Sequence, residues 1–124
     1  MTTALQTLAD VAAIIALKAH TWNNEDELQE SIAESLKAAG LEVTREVALS
    51  GGFGRIDLMI GEHLGVEVKV KGSWQQLTRQ VMRYSHAPEI KALLVVTTKP
   101  GHAQNVPLQS NGVPILTHLL RGAF

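Results

Sequence analysis

Two short segments separated by three residues constrain the fold of this chain most strongly. Residues 55–60 (RIDLMI) and 64–70 (LGVEVKV) alternate apolar and polar side chains over much of their length, which is typical of β-strands. The three residues between them, GEH at 61–63, predict a tight hairpin loop. A loop of this length pairs Ile60 with Leu64, and that pairing fixes the register of the two strands.

The predicted register brings two carboxylates together. Counting back along the hairpin, Asp57 lies opposite Glu67, on the face away from Ile56, Leu58 and Ile60. Directly opposed residues have Cβ atoms about 4.5–5.5 Å apart, and like charges at that distance are destabilising. A divalent cation between the carboxylates would offset this repulsion. Mg²⁺ suits such a site because it binds one or two carboxylates and completes its shell with water and phosphate oxygens.

The charges of the second strand also have a purely structural interpretation. Glu67, Lys69 and Lys71 share one face, as they would on the charged side of an exposed edge strand. Asp57 favours the functional interpretation, because aspartate is depleted in strands and here it interrupts an otherwise apolar segment.

The remaining periodicity predicts helices and further strands around this hairpin. The expected elements are helices over 3–19, 25–39 and 73–85, strands over 41–49, 55–60, 64–70 and 91–98, a loop with room for a short helix over 100–111, and a candidate last strand over 113–120. This order predicts an α/β or α+β sandwich with a mixed central sheet flanked by helices. The length of 124 residues fits a single domain.

The helix predicted to begin at Glu25 offers a third carboxylate. Its apolar stripe consists of Leu28, Ile32, Leu36 and Ala39. Glu25 falls on this stripe, one turn before Leu28, whereas Glu27, Glu30 and Glu34 point away from it. Glu25 is therefore expected to reach the strand pair. The alternative is a favourable charge at a helix N-terminus, worth about 0.3–1 kcal/mol.

The other two helices carry a buried stripe each. The expected buried residues are Leu5, Leu8, Ala12 and Ile15 in the first helix and Trp74, Leu77, Val81 and Tyr84 in the third. Gln80 lies one turn before Tyr84, and Arg79 lies one turn before Arg83. Basic side chains spaced by a turn can follow a phosphate backbone, although a solvated basic face is the alternative.

Charge is distributed unevenly along the chain. The formal net charge is only −1, but residues 25–34 contain five acidic and no basic side chains, and residues 69–87 contain four basic and no acidic ones. A local basic stretch is what a nucleic-acid partner requires. The chain contains no cysteine, and its five histidines have no ligand spacing. The histidines are therefore expected at the surface or its boundary.

These residues resemble a known signature. Asp57, a nine-residue spacer and Glu67-Val68-Lys69 resemble the D-x(n)-(D/E)-x-K signature of the PD-(D/E)xK phosphodiesterase superfamily, which has a restriction-endonuclease-like αβββαβ core. The order predicted over 25–98 matches that core. Ile56 stands where the superfamily signature often has proline.

Two further motifs strengthen the resemblance. Glu25-x(3)-Gln29, with Gly40 after the helix, resembles the opening motif of the virus-type replication-repair (VRR-NUC) branch. Gln80-x(3)-Tyr84 resembles the Q-x(3)-Y motif that follows the catalytic lysine in several exonuclease branches.

The resemblance implies a nuclease that uses Mg²⁺ or Mn²⁺ to hydrolyse nucleic acid, with DNA as the expected substrate and little sequence specificity. The implied metal ligands are Asp57, Glu67, the Val68 backbone carbonyl and Glu25, the last directly or through water. Lys69 and Gln80 complete the implied catalytic group. The implied nucleic-acid contacts are Arg55, Lys71, Arg79, Arg83 and Tyr84. The alternative function is a catalytically inactive nuclease-fold module that binds nucleic acid or a protein.

The segments outside this core complete the predicted organisation of the chain. Residues 1–22 form an N-terminal helical extension, residues 23–98 the core and residues 99–124 a C-terminal loop and strand. The first helix either covers the sheet or forms a homodimer contact. No segment is long and apolar enough for a membrane span, so we expect a cytoplasmic protein. A phage or mobile-element origin fits a compact nuclease by analogy.

Overall fold

The computed structural model describes residues 3–121. Within them the helices are α1 (Ala4–Ala16), α2 (Glu25–Ala38), α3 (Trp74–Tyr84) and α4 (Pro100–Asn105). The strands are β1 (Val43–Ala48), β2 (Arg55–Ile60), β3 (Leu64–Lys69), β4 (Ala92–Thr97), β5 (Gln109–Ser110) and β6 (Val113–Leu119), and a 3₁₀ turn covers Ser50–Gly52. Thr3, Asn24 and Ser73 cap α1, α2 and α3 through side-chain oxygens that accept backbone N–H groups.

One mixed sheet organises these elements. Its strand order is β1-β2-β3-β4-β6-β5. β1, β2 and β3 are antiparallel neighbours, β3, β4 and β6 are parallel, and β5 is antiparallel to β6. Parallel neighbours need crossover connections, which α3 and α4 supply. The chain is therefore an α+β protein with a six-stranded mixed sheet flanked by helices, and the candidate strand near the C-terminus is confirmed.

Each face of the sheet buries its own apolar core. α1 and α2 cover one face, where Leu28, Ile32 and Leu36 pack against Val66 and Val68. α3 and the segment after α4 cover the other face, where Leu77 and Val81 pack with Val95 and Ile115. β4 is buried along its whole length, as its uninterrupted apolar run predicts.

The residues that are wrongly predicted to be buried all lie at helix ends. Leu5 is 55% exposed and Trp74 is 38% exposed, and Ala39 is an exposed residue that caps α2. Val11, which the stripe omitted, is buried in α1. Periodicity fixes the direction of a side chain around the helix axis, but it does not indicate how far the underlying surface extends along that axis.

The hairpin loop has the predicted register. Ile60 pairs with Leu64, and the ladder continues to Leu58 and Val66. The prediction that Ile56 shares a face with Leu58 and Ile60 is wrong, however. Ile56 packs in the core beneath α3, whereas Leu58 and Ile60 pack beneath α1 and α2.

The strand pair β1–β2 is distorted at Glu46, and this explains the position of Ile56. The ladder pairs Arg45 with Leu58 and Val47 with Ile56, but no pair forms between Glu46 and Asp57. Glu46 has a φ of 53°, in the left-handed region that costs a non-glycine residue about 1–2 kcal/mol. The regular alternation of faces is therefore broken between Leu58 and Ile56, and Asp57 lies at the break, opposite Glu46.

We predict that glycine is tolerated at Glu46 and not at a regular position of the same strand. Glu46→Gly relieves the left-handed strain, so the free energy of unfolding should stay constant or rise by up to about 1 kcal/mol. Thr44→Gly, at an exposed position of regular β1, should lower it by about 0.5–1 kcal/mol. Urea denaturation of the two variants measures the difference, and equal losses in both would contradict a strained Glu46.

Candidate functional site

Asp57 and Glu67 lie where the backbone ladder between β2 and β3 ends. Past Leu58–Val66, side-chain contacts replace backbone pairing. Asp57 Oδ2 accepts the N–H of Val68 at 2.7 Å, and Glu67 Oε1 accepts the N–H of Asp57 at 3.3 Å. Each carboxylate thus accepts a backbone N–H from the opposite strand, and the charge of Asp57 acts on Glu67.

Glu67 is the most deeply buried charged residue of this group. It is 1% exposed, and its side chain points to the face that carries α3. Lys69 Nζ lies 3.7 Å from Glu67 Oε2. The Tyr84 hydroxyl donates to the Arg55 carbonyl at 2.8 Å and lies 3.3 Å from Glu67 Oε2. A cation and a phenol therefore approach the same carboxylate oxygen.

Burial and mutual repulsion shift the protonation of this pair. Burial, followed by the charge of Asp57, raises the pKa of Glu67 to about 8, against the opposing effect of Lys69. Burial also raises the pKa of Asp57, although the hydrogen bond from Val68 opposes the shift. Burial and the two carboxylates raise the pKa of Tyr84 as well. A bound cation would oppose both carboxylate shifts, because it favours the charged form of Asp57 and of Glu67.

Glu25 reaches the end of β3 from the first residue of α2. Its Oε1 accepts the N–H of Val70 at 2.9 Å, and its charge helps to raise the pKa of Asp57. The neighbouring acids are used elsewhere: Asp26 pairs with Arg45 at 2.8 Å, and Glu27 accepts the N–H of Asn23. Of the three acids in the first turn of α2, Glu25 is thus the one whose side chain contacts the end of the strand pair.

The Val68 carbonyl lies on the same edge of β3 as these carboxylates. In an extended strand, the N–H and C=O of one residue point to the same side and the next residue points to the other. Val68 and Val70 direct their N–H groups to Asp57 and Glu25, whereas the Lys69 carbonyl accepts from Thr98 of the β4 side. The Val68 carbonyl oxygen is therefore flanked by the carboxylates of Asp57 and Glu25.

This donor set fits a hard divalent cation. Asp57, Glu67 and the Val68 carbonyl offer oxygen alone, which Mg²⁺ and Mn²⁺ accept. Within residues 3–121, no three Asp, Glu or His side chains are grouped so that they could hold a metal by themselves. A cation here would depend on two carboxylates, a backbone oxygen and water, a ligand set usual for Mg²⁺ and unsuited to a structural zinc.

Gln80 joins the site through Tyr84. It lies one turn before Tyr84 on α3, and its side chain opposes the rise in the pKa of Tyr84, which in turn contacts Glu67. The predicted phosphate-contacting cations lie outside this buried group. Arg55 is 3.9 Å from Glu46, Arg83 donates to the Phe53 carbonyl at 3.3 Å, and Lys71 and Arg79 are exposed.

Several polar residues form buried or long-range hydrogen bonds that the sequence does not predict. His20 and His102 are buried, contrary to the expectation of surface histidines. His20 bonds to Ser31 and to the Ile15 carbonyl at 2.7 and 2.8 Å. Arg45 joins Asp26 to Gln29, and Glu89 accepts two hydrogen bonds from Ser50. These contacts join residues far apart in sequence and leave no periodic signal.

Comparisons of the chain with known protein families, curated proteins and solved structures found no match. Across residues 3–121, no helix is long and apolar enough to cross a membrane.

We predict that Glu67→Gln stabilises the protein at alkaline pH. The folded-state pKa of about 8 exceeds the ordinary value of 4.5, so the folded state binds the extra proton. The wild-type unfolding free energy should therefore fall as pH rises from about 4.5 to about 8 and then level off. Glu67→Gln removes this loss and should be about 1–3 kcal/mol more stable than the wild type at pH 9.

Chemical denaturation at pH 5 and pH 9 measures this difference. Glu62→Gln is the matched control, because the Glu62 side chain is 91% exposed and its removal should leave the pH dependence unchanged. An unchanged pH dependence in Glu67→Gln would contradict the assignment of a strained, buried carboxylate at position 67.

Proposed function

We propose that this protein is an Mg²⁺- or Mn²⁺-dependent nuclease of the PD-(D/E)xK type that hydrolyses phosphodiester bonds, with DNA as its substrate. The observation that carries the proposal is the buried pair of Asp57 and Glu67 at the open end of a hairpin, with Lys69 Nζ 3.7 Å from Glu67. A buried carboxylate pair destabilises a fold, so its presence favours a function that needs it.

The order of elements supports the finer fold assignment. From α2 to β4 the chain follows the sequence α-β-β-β-α-β, the order of the restriction-endonuclease-like core. The candidate acids come from β2 and β3, the third carboxylate from the helix that precedes them, and Gln80 and Tyr84 from the helix that follows. Each motif that carried the resemblance thus contributes a side chain to one place.

The ligands of the proposed site are Asp57, Glu67 and the Val68 carbonyl, with Glu25 acting directly or through water. The chemistry that Mg²⁺ or Mn²⁺ supplies at such a site is activation of a water molecule and neutralisation of charge on the phosphate. Asp57 is held by the Val68 N–H and Glu67 by the Asp57 N–H, so both carboxylates are oriented before substrate arrives.

Lys69 is the proposed catalytic cation. Its side chain is about a quarter exposed at 24%, and Nζ is within ion-pair distance of Glu67. From there it would orient the attacking water and offset the negative charge that develops on the phosphate. Tyr84 acts behind it as a positioning residue, because its hydroxyl bonds to the Arg55 carbonyl and contacts Glu67. Since Tyr84 is only 1% exposed, we propose this role in place of the nucleic-acid contact that the resemblance implies. Gln80, one turn earlier on α3, is proposed to position Tyr84 in turn.

Exposed cations would bind the nucleic-acid backbone. Arg55, Lys71, Arg79 and Arg83 are exposed, and phosphate contacts by such side chains give affinity without sequence information. The proposal is therefore structure-dependent or weakly specific cleavage. The homodimer through α1 stays a prediction; its apolar stripe packs within the chain against α2, β4 and β6, leaving Leu5 and Leu17 exposed.

Cleavage assays with single-site variants test the proposal. We expect the wild type to cut branched, linear or single-stranded DNA in Mn²⁺ and not in EDTA. Asp57→Asn, Glu67→Gln and Lys69→Ala should each lower the rate by about 10²–10⁴-fold, because the first two remove the charge of a proposed metal ligand and the third removes the proposed catalytic cation. Lys91→Ala, at an exposed lysine, should cleave like the wild type.

The role of Glu25 has its own pair of variants in the same assay. Glu25→Gln keeps an oxygen for the Val70 N–H but loses the charge, and should lower the rate; Glu27→Gln, from the same helical turn, should not. Absence of cleavage of every substrate, together with unchanged DNA binding in Lys69→Ala, would contradict a nuclease and leave the inactive binding module.

A further inference from the structure

A cleft beside the carboxylates has features that the proposed chemistry does not use. It has a volume of about 470 Å³ and is lined by residues 72–75 and 98–102. One of its lining residues, Thr98, contacts the proposed catalytic lysine directly, because the Lys69 carbonyl accepts the N–H of Thr98 at 3.2 Å. The cleft lies where parallel β3 and β4 end, the edge at which open sheets bind their ligands.

An exposed indole forms part of this cleft. Trp74 is the first residue of α3 and is 38% exposed, whereas Leu77 and Tyr84 on the same helix are 1% exposed. Ser73 caps the helix by accepting the N–H of Gln76 at 3.1 Å, so the start of α3 is fixed. A large aromatic surface is thus held at a cleft beside the candidate site, where a flat ring could stack on it.

A buried histidine holds the two walls of the cleft together. His102 is 2% exposed. Its Nε2 lies 3.0 Å from the Gly72 carbonyl, and its Nδ1 lies 2.8 Å from Thr97 Oγ1. Because a carbonyl only accepts, Nε2 donates its proton to Gly72, and Nδ1 shares a hydrogen bond with the threonine hydroxyl. Thr97 Oγ1 accepts in turn from the Lys99 N–H at 3.1 Å. The cleft is thus preformed.

The lining of the cleft carries positive and no negative charge. From Val68 to the C-terminus the sequence contains seven Lys and Arg residues and one acid, Glu89. The Glu89 carbonyl contacts His63 at the opposite end of β3 from Lys69. The cleft lining therefore contains no carboxylate, while Lys99 lines it and Lys71 precedes it in sequence. Cations next to an apolar, aromatic surface match a nucleotide, which has a phosphate and a flat base.

We infer that this cleft binds an unpaired nucleotide of the substrate strand, with its base stacked on Trp74 and its phosphate contacted by Lys71 and Lys99. The inference rests on the proposed nuclease function and narrows its substrate to nucleic acid with single-stranded character next to the scissile bond, such as a branch or a free strand. A base inside a duplex is stacked on both faces by its neighbours, so it cannot present a face to an indole.

Binding assays in EDTA test the cleft separately from cleavage. The probes are a fluorescein-labelled oligothymidylate and a blunt duplex of the same length, followed by anisotropy. Trp74→Ala should weaken oligothymidylate binding by about 5- to 100-fold, the usual effect of one stacking side chain. Trp74→Phe should retain most of the affinity. Met82→Ala, at an exposed apolar residue of the same helix, should change it by less than about twofold.

A second measurement reports contact directly. The chain contains two tryptophans, so Trp22→Phe leaves Trp74 as the single indole, and oligothymidylate should quench its fluorescence more than the duplex does. Equal affinities of Trp74→Ala and Met82→Ala, or an equal loss on single strands and duplex, would overturn the inference. Selective loss in Trp74→Ala supports the cleft even where the Mn²⁺ cleavage assay is negative, so failure of the nuclease proposal is distinguished from failure of the cleft.

Discussion

The hydrogen bonds that replace the backbone ladder between β2 and β3 determine the rest of the site. Asp57 accepts from Val68 and Glu67 accepts from Asp57, so two carboxylates occupy the space where a regular hairpin would continue. This replacement of backbone pairing by side-chain contacts affects both strands next to β2. β1 loses its pair at Glu46, which takes a left-handed conformation, and β3 turns the Val68 carbonyl and the Val70 N–H toward the same opening. A single departure from regular pairing thus creates the cluster of oxygen atoms.

This arrangement has a cost in stability that other elements reduce but do not remove. Lys69 and Tyr84 both approach Oε2 of Glu67, yet the pKa of Glu67 remains about 8 because burial and the charge of Asp57 dominate. Strained backbone and perturbed carboxylates are typical of places where function opposes stability. The two apolar cores on either face of the sheet supply the stability that this region lacks, and they leave the site at the edge where β3 and β4 end.

The sequence predicted the elements well, because their signals are local. The loop of residues 61–63 set the register, and the direction of Glu25 followed from the apolar stripe of α2. The distortion at Glu46 escaped prediction because its cause is the tertiary contact of Asp57 with β3, so Ile56 was assigned to the wrong face. The prediction that Trp74 is buried is wrong because periodicity does not indicate where a helix extends beyond the surface on which it packs. The buried positions of His20 and His102 depend on single long-range partners, and no short motif encodes them.

The central claim is that Asp57 and Glu67 together bind one divalent cation. Titration with Mn²⁺ followed by electron paramagnetic resonance measures this directly, without substrate or turnover. We expect a single site whose affinity rises with pH toward about 8, because the proton on Glu67 competes with the metal. Asp57→Asn and Glu67→Gln should each abolish that site, and Glu62→Gln should retain it. Mn²⁺ binding of equal affinity in all four proteins, or no binding by the wild type at any pH, would contradict the account.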